Sequence, residues 1–232
     1  MIGIIVAMTE ERDAIVKLMN NVTLQHEKKL NYHGKVLDDE YYLGDINGKQ
    51  VVVHHCGVGK VYAAMGTQML IDRFHPELVI NLGCAGSLNE NVHAGDIVIA
   101  TRTADWDFAV PGWERSITSE HISNACSSKC GEIAKELNWN NIHVGPIVSG
   151  DQFIMTNEQL AIIKEFFPDA LAGEMEGNAT ATVCYSYGVP CCVIRSISDE
   201  TLTGNNLQQY EFNLVEVCDE AGRLCRDIIE RF

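Results

Sequence analysis

Four acidic side chains in this sequence stand just beyond short apolar runs. Glu11 follows IGIIV at 2–6. Glu174 and Glu176 follow Leu171-Ala172-Gly173, and Asp199 follows PCCVIRS at 190–196. A carboxyl group in such a place can take or give a proton, counter a developing positive charge, or grip hydroxyl groups. Each acid also has a plainer reading. Glu11 suits the first turn of a helix, Glu174 and Glu176 suit a solvated strand end, Asp199 suits a helix N-cap, and Arg195 can pair with any of them. Their shared position raises them above these readings. In open α/β sheets ligands bind beyond the carboxyl ends of the strands. That edge gathers Met8 and Glu11, the loop around Cys84, Asp151 with Phe153 and Ile154, Glu174-Met175-Glu176, and Arg195 with Ser198 and Asp199.

The elements that must position these residues follow from periodicity. Continuous apolar runs predict buried strands at 2–6, 77–82, 96–101, 142–148, 171–175 and 190–196. Two further strands flank Asn47-Gly48, a hairpin signal. Helices are predicted over 9–20 with Thr9 as N-cap, 61–74, 121–137, 157–166, 177–187 and from about 208 onward. Gly83-Cys84-Ala85-Gly86-Ser87 reads as a small-residue loop, and 105–120 as a loop rich in aromatics. Strands alternating with helices imply an α/β/α sandwich with parallel strands in its core. No repeat or linker interrupts it, so residues 1–232 read as one domain.

Composition narrows the partners. The chain has 232 residues, 46% of them hydrophobic, and a formal net charge of −15. An acidic surface repels nucleic acid and anionic lipid, and favours a neutral or zwitterionic ligand over a strongly anionic one. No apolar run approaches the roughly 20 residues that span a bilayer. The first residues read as a strand rather than a signal peptide, so the expected location is cytoplasmic. Nine cysteines, most in apolar segments, read as small buried hydrophobes. Neither they nor the eight histidines show metal-site spacing, so no metal or cofactor is expected. Gly57-Val58-Gly59-Lys60 is not a phosphate loop, because His54 stands where the first glycine belongs and Val61 follows Lys60.

Six motifs, in order, resemble the 5′-methylthioadenosine/S-adenosylhomocysteine nucleosidases of the nucleoside phosphorylase superfamily. They are Ala7-Met8-x-Glu10-Glu11, Cys56-Gly57-Val58-Gly59-Lys60, Asn81-Leu82-Gly83-Cys84-Ala85-Gly86, Val148-Ser149-Gly150-Asp151-x-Phe153, Glu174-Met175-Glu176 and Arg195-Ser196-Ile197-Ser198-Asp199. The resemblance spans nearly the whole chain. It implies a three-layer α/β/α sandwich around a central mixed, largely parallel sheet, nucleoside phosphorylase-like. It further implies hydrolysis of the N-glycosidic bond of an adenine nucleoside with a 5′ thioether, in methionine salvage. 5′-Deoxyadenosine stands as another candidate substrate.

The resemblance also implies roles. Glu11 would activate water, and Glu176 would hold the ribose hydroxyls with Met175 on the sugar and Glu174 and Arg195 beside it. Asp199 would protonate adenine N7, held by Ser198. Phe153 would stack on the base and the Ile154 backbone would read its edge. Met8 and Val58 would line the sugar and the 5′ pocket. Cys84 stands where the family places a ribose-contacting serine, and Gln209 where an aromatic closes a lid over 206–212. The family further implies a homodimer in which Phe108 and Pro111 reach the neighbouring subunit's pocket. Two alternatives compete: a phosphorylase, which the absence of arginine in NLGCAGS disfavours, and a nucleoside sensor without turnover.

Overall fold

The computed structural model describes residues 1–30, 36–109, 118–119 and 124–232. Its framework is a mixed sheet. Strand β1 (Ile2–Val6) lies between β4 (Lys49–His55) and β5 (Leu78–Ser87), parallel to both. β5 continues parallel to β10 (Cys191–Glu200). β10 is antiparallel to β6 (Ile97–Asp105), which runs parallel to β8 (Ile142–Ser149). The short β9 (Ala172–Glu174) joins β8 in parallel and β5 in antiparallel fashion, so this half of the sheet closes on itself. On the other side β3 (Val36–Ile46) and β2 (Asn20–Leu30) extend it as antiparallel ribbons, and β7 (Thr118–Ser119) adds to β6.

Alternation along the strands builds two cores. Ile2, Ile4 and Val6 of β1, with Leu78, Ile80 and Leu82 of β5, pack against α1 (Thr9–Val16), α3 (Asn124–Glu136) and α6 (Asn206–Arg231). Ile5, Val52, Val79 and Val193 point the other way, against α2 (Lys60–Phe74) and α5 (Gly177–Tyr187). These are the three layers expected. A smaller cluster of Trp106, Val148, Ile154 and Ile163 packs α4 (Asn157–Phe166) beside the closed part of the sheet. The bounds of α4 and α5 match the sequence expectation.

Several expectations need correction. Gly83–Ser87 is not a loop but the end of β5, because β9 and the extended β10 supply partners for its backbone there. β10 likewise runs past Ser196 to Glu200. Its register slips between Ile197 and Asp199, which leaves Ser198 as the extra residue of a bulge. Such bulges re-aim side chains. Thr9 is not an N-cap: Met8 holds that position. β2 had no counterpart in the sequence reading, since its residues alternate poorly. Segment 206–212 forms the first two turns of α6. Pro111, with Val110 and Trp113, lies outside the described residues.

Gly222 sets the approach of α6 to α1. A Cβ there would stand 2.8 Å from the Ala14 carbonyl oxygen, and backbone cannot move aside cheaply. Alanine would add up to about 1 kcal/mol of helix propensity, but overpacking costs roughly 1–3 kcal/mol. Gly222→Ala should therefore lower Tm by several degrees in thermal unfolding, at about 2–4 °C per kcal/mol for a chain of this size. An unchanged or raised Tm would contradict this packing.

Candidate active site

The strand ends converge on a cavity of about 230 Å³. Glu11 enters from the first turn of α1. Its Oε2 accepts N–H bonds from Ala7 at 2.8 Å and Met8 at 3.0 Å, and its Oε1 accepts one from Cys84 at 3.1 Å. It thus acts as a helix-terminal acid and still lines the cavity. Gly83 makes this possible: a Cβ there would lie 2.5 Å from Glu11 Oε1. Glu176 stands at the N-cap of α5 and accepts an N–H bond from Gly59 at 2.7 Å. Gly59, at φ 102°, caps α2 in a backbone form that a side chain would strain. The loop that mimics a phosphate site therefore presents its amides to carboxylates. Lys60 N–H likewise donates to Asp151 at 2.8 Å.

Behind the wall lies Arg195, 1% exposed. Its guanidinium pairs with Glu174. It also donates to the Asn81 and Ile194 carbonyls at 3.1 Å and to the Asn81 side chain. Glu174 in turn accepts from the Ser149 hydroxyl and from the backbone N–H groups of Glu176 at 2.9 Å and Gly177 at 2.7 Å. Arg195 is not on the cavity surface; it acts through the acids. Burial works against its charge and is outweighed by Glu174, Glu176 and Glu11.

Electrostatics separates the acids. Burial raises the pKa of Glu11, opposed by Arg195 and by the three backbone N–H donors. Burial and the neighbouring Glu174 push Glu176 up to about 8, against the pull of Arg195 and Gly59. Burial raises Asp199 too, opposed by Ser198 and Asn206. The Ser198 hydroxyl donates to Asp199 Oδ1 at 2.7 Å. Among the described residues no group of three or more His, Cys, Asp or Glu is arranged to hold a metal ion.

Met8, Val58, Cys84, Phe153, Ile154, Glu174, Met175 and Ser198 line the same cavity as Glu11, Glu176 and Asp199. Phe108 does not; it is 40% exposed. Gln209, expected at the lid, instead accepts the Glu200 N–H at 2.8 Å. The next residue, Tyr210, lines the cavity with Leu207. Its ring meets Phe153 edge-on at 5.5 Å, and its hydroxyl donates to Met8 Sδ at 3.2 Å. Sequence reading also missed Thr201 and Gln152, which carry no motif. One residue along the helix, a rotation of about 100°, decides between positions 209 and 210.

The model of the phosphorylase superfamily matches residues 1–230. A 5′-methylthioadenosine/S-adenosylhomocysteine nucleosidase of Maridesulfovibrio salexigens is 34% identical over 99% of this chain and 98% of its own. This chain belongs to the 5′-methylthioadenosine/S-adenosylhomocysteine nucleosidase family. The nucleosidase of S. pneumoniae, solved with a transition-state inhibitor, superposes with a TM-score of 0.87 at 30% identity, covering 99% of this chain and 98% of that one. Futalosine hydrolase of Helicobacter pylori superposes with a TM-score of 0.85 at 27% identity, covering 100% and 97%. The fold is therefore shared with a hydrolase named for another substrate.

The raised Glu176 has a consequence for stability. Its pKa is higher folded than unfolded, so the folded state holds more protons between roughly pH 4.5 and 8, and stability falls as pH rises through that window. Glu176→Gln should flatten that fall in Tm measured from pH 5 to 8.5. A fall of unchanged slope in the variant would assign it to other groups.

Proposed function

We propose that this protein hydrolyses the N-glycosidic bond of 5′-methylthioadenosine and S-adenosylhomocysteine, releasing adenine and the 5-thio-ribose. The observation that carries the reading is the division of acids within one cavity. Glu11 and Glu176 feel the Arg195 charge, whereas Asp199, just past the bulge of β10, is held by Ser198. Cleavage builds positive charge on the ribose and negative charge on the purine. Asp199, whose raised pKa keeps it closer to protonated near neutrality, supplies a proton to N7 and makes adenine a competent leaving group. Glu11, fixed by three N–H bonds, takes a proton from the attacking water, as a base does in glycoside hydrolysis. Glu176 grips the ribose hydroxyls, and positive charge growing on the sugar favours its ionised form. Phe153 and Tyr210 offer aromatic walls, and Met175 packs on the sugar.

Water rather than phosphate suits this cavity. The nearest arginine on the first-strand side, Arg12, is held by Asp13 at 2.8 Å and Glu40 at 3.4 Å and does not line it. Phosphate would meet Glu11 instead. A cytoplasmic setting fits the nine free cysteines. A homodimer fits Val58 and Leu207, exposed apolar residues at the cavity, and the exposed Phe108 near the chain that leads to Pro111.

The direct test is release of adenine from methylthioadenosine in phosphate-free buffer, which this reading expects. Release only with phosphate would make the protein a phosphorylase, and binding without release a sensor. Asp199→Asn should lower turnover at least about a hundredfold while adenine still binds, as for loss of a general acid. Near-normal turnover in a folded variant would remove Asp199 as the proton donor. For the dimer, Phe108→Ala should raise KM for long 5′ substituents with cleavage retained. A fully active monomer in sedimentation would contradict it.

A further inference from the structure

Asn81 touches no part of the cavity, yet it is the neutral side chain on the Arg195 guanidinium. It sits on β5, opposite Ile5 of β1 and Val193 of β10, and is 1% exposed. Its Nδ2 donates to the Ile5 carbonyl at 3.2 Å. Its Oδ1 accepts from Arg195 Nη2, and its backbone carbonyl accepts from Nη1 at 3.1 Å. Arg195 pairs in register with Gly83, two residues along, so Asn81 and Arg195 are diagonal neighbours. Between them Gly83 leaves the gap that Glu11 enters, and a Cβ there would also stand 3.5 Å from Arg195 Nη1.

We propose that Asn81 is a positioning residue for the reaction. It ties the Arg195 guanidinium to the backbone of β1, so that one positive charge is shared among Glu174, Glu176 and Glu11 in a fixed geometry. The role assigned to those acids rests on the nucleosidase reading; the tethering does not. The alternative anchors are few. Among the described residues, Arg195 Nε has no hydrogen-bond partner and Nη1 reaches backbone carbonyls alone. Without the Asn81 amide oxygen, Nη2 would keep only Glu174, and the guanidinium could pivot about the two backbone carbonyls that hold Nη1, loosening its placement relative to Glu11.

The other groups facing this charge do not replace it. Glu11 comes from α1, Glu174 from β9 and Glu176 from the cap of α5, all acids. The thiol of Cys56 after β4 is pushed up by burial. That of Cys84 on β5 is pushed up by its contact with Cys218 and by burial. The phenol of Tyr210 on α6 is pushed up by burial. All three stay neutral near pH 7, so Arg195 is the cation among the groups that meet there. An opposite charge within reach lowers a carboxyl pKa by about 1–3 units, and loosening it returns part of that shift.

The test uses the full-length protein with Asn81→Ala, and Thr67→Val as a control. Thr67 is also buried and donates to the Ala63 carbonyl at 2.7 Å and to the Thr180 hydroxyl at 3.3 Å, neither of which involves Arg195. Two profiles are read: kcat/KM for methylthioadenosine against pH, and Tm against pH. The acidic limb of kcat/KM should move up by about one pH unit in Asn81→Ala, with kcat falling more than KM rises. Its fall in Tm should continue above pH 8. Thr67→Val should lose stability without moving either profile. A folded Asn81→Ala with both profiles unmoved would overturn the proposal. If Asn81→Ala does not fold, Asn81→Ser is read by the same criteria. If the wild type has no turnover, the nucleosidase reading fails, and the Tm profile still decides for or against the tether.

Discussion

One buried guanidinium must serve three carboxyl groups. Arg195 cannot neutralise Glu174, Glu176 and Glu11 together, and the cost of burying charge away from water is steep. The molecule meets this constraint in two ways. It spends the direct ion pair on Glu174, and it gives all three carboxyls backbone N–H donors, two of them to Glu174. Glu11 receives three and Glu176 one. The imbalance is visible in their proton affinities. Burial, then Glu174 and Glu11, push Glu176, the carboxyl with the fewest donors, up to about 8.

The fold is arranged around that solution. Parallel strands β1, β5 and β10 bring their carboxyl ends to one side, and each delivers one component: the Glu11 turn, the Gly83 gap and Arg195. Helix α2 begins there with Gly59, whose amide holds Glu176. Asp199 follows the bulge at Ser198, and its pKa is governed by burial, Ser198 and Asn206. Closing β5, β10, β6, β8 and β9 on one another removes free edges around the cavity and gives the bulged strand partners on both sides.

Much of this was legible in the residues, and the omissions have physical causes. The acids were found because strand ends can be read from apolar runs and ligands gather beyond them. Helices α4 and α5 match to the residue: a Thr156–Gln159 capping box starts α4, and Gly188 in the left-handed region ends α5. The extent of β5 and β10 was not legible, since Gly83–Ser87 has loop-like composition and becomes strand only through partners far away in sequence. Tyr210 was missed for Gln209 because a one-residue difference on a helix turns a side chain by more than a quarter turn. Asn81 reads as an ordinary member of a motif; its work appears only when β5 and β10 are seen in register. β2, with poor alternation, gave no signal at all.

The central claim is that burial and the neighbouring Glu174 keep a proton on Glu176 at neutral pH, because the one cation beside it is shared with two other acids and does not offset them. Carbon-13 labelling of glutamate side-chain carboxyls, followed by NMR from pH 5 to 9.5 in the free protein, counts that proton directly. The account predicts a buried glutamate signal titrating near pH 8 and lost in Glu176→Gln. All glutamates fully ionised by pH 6 would contradict it.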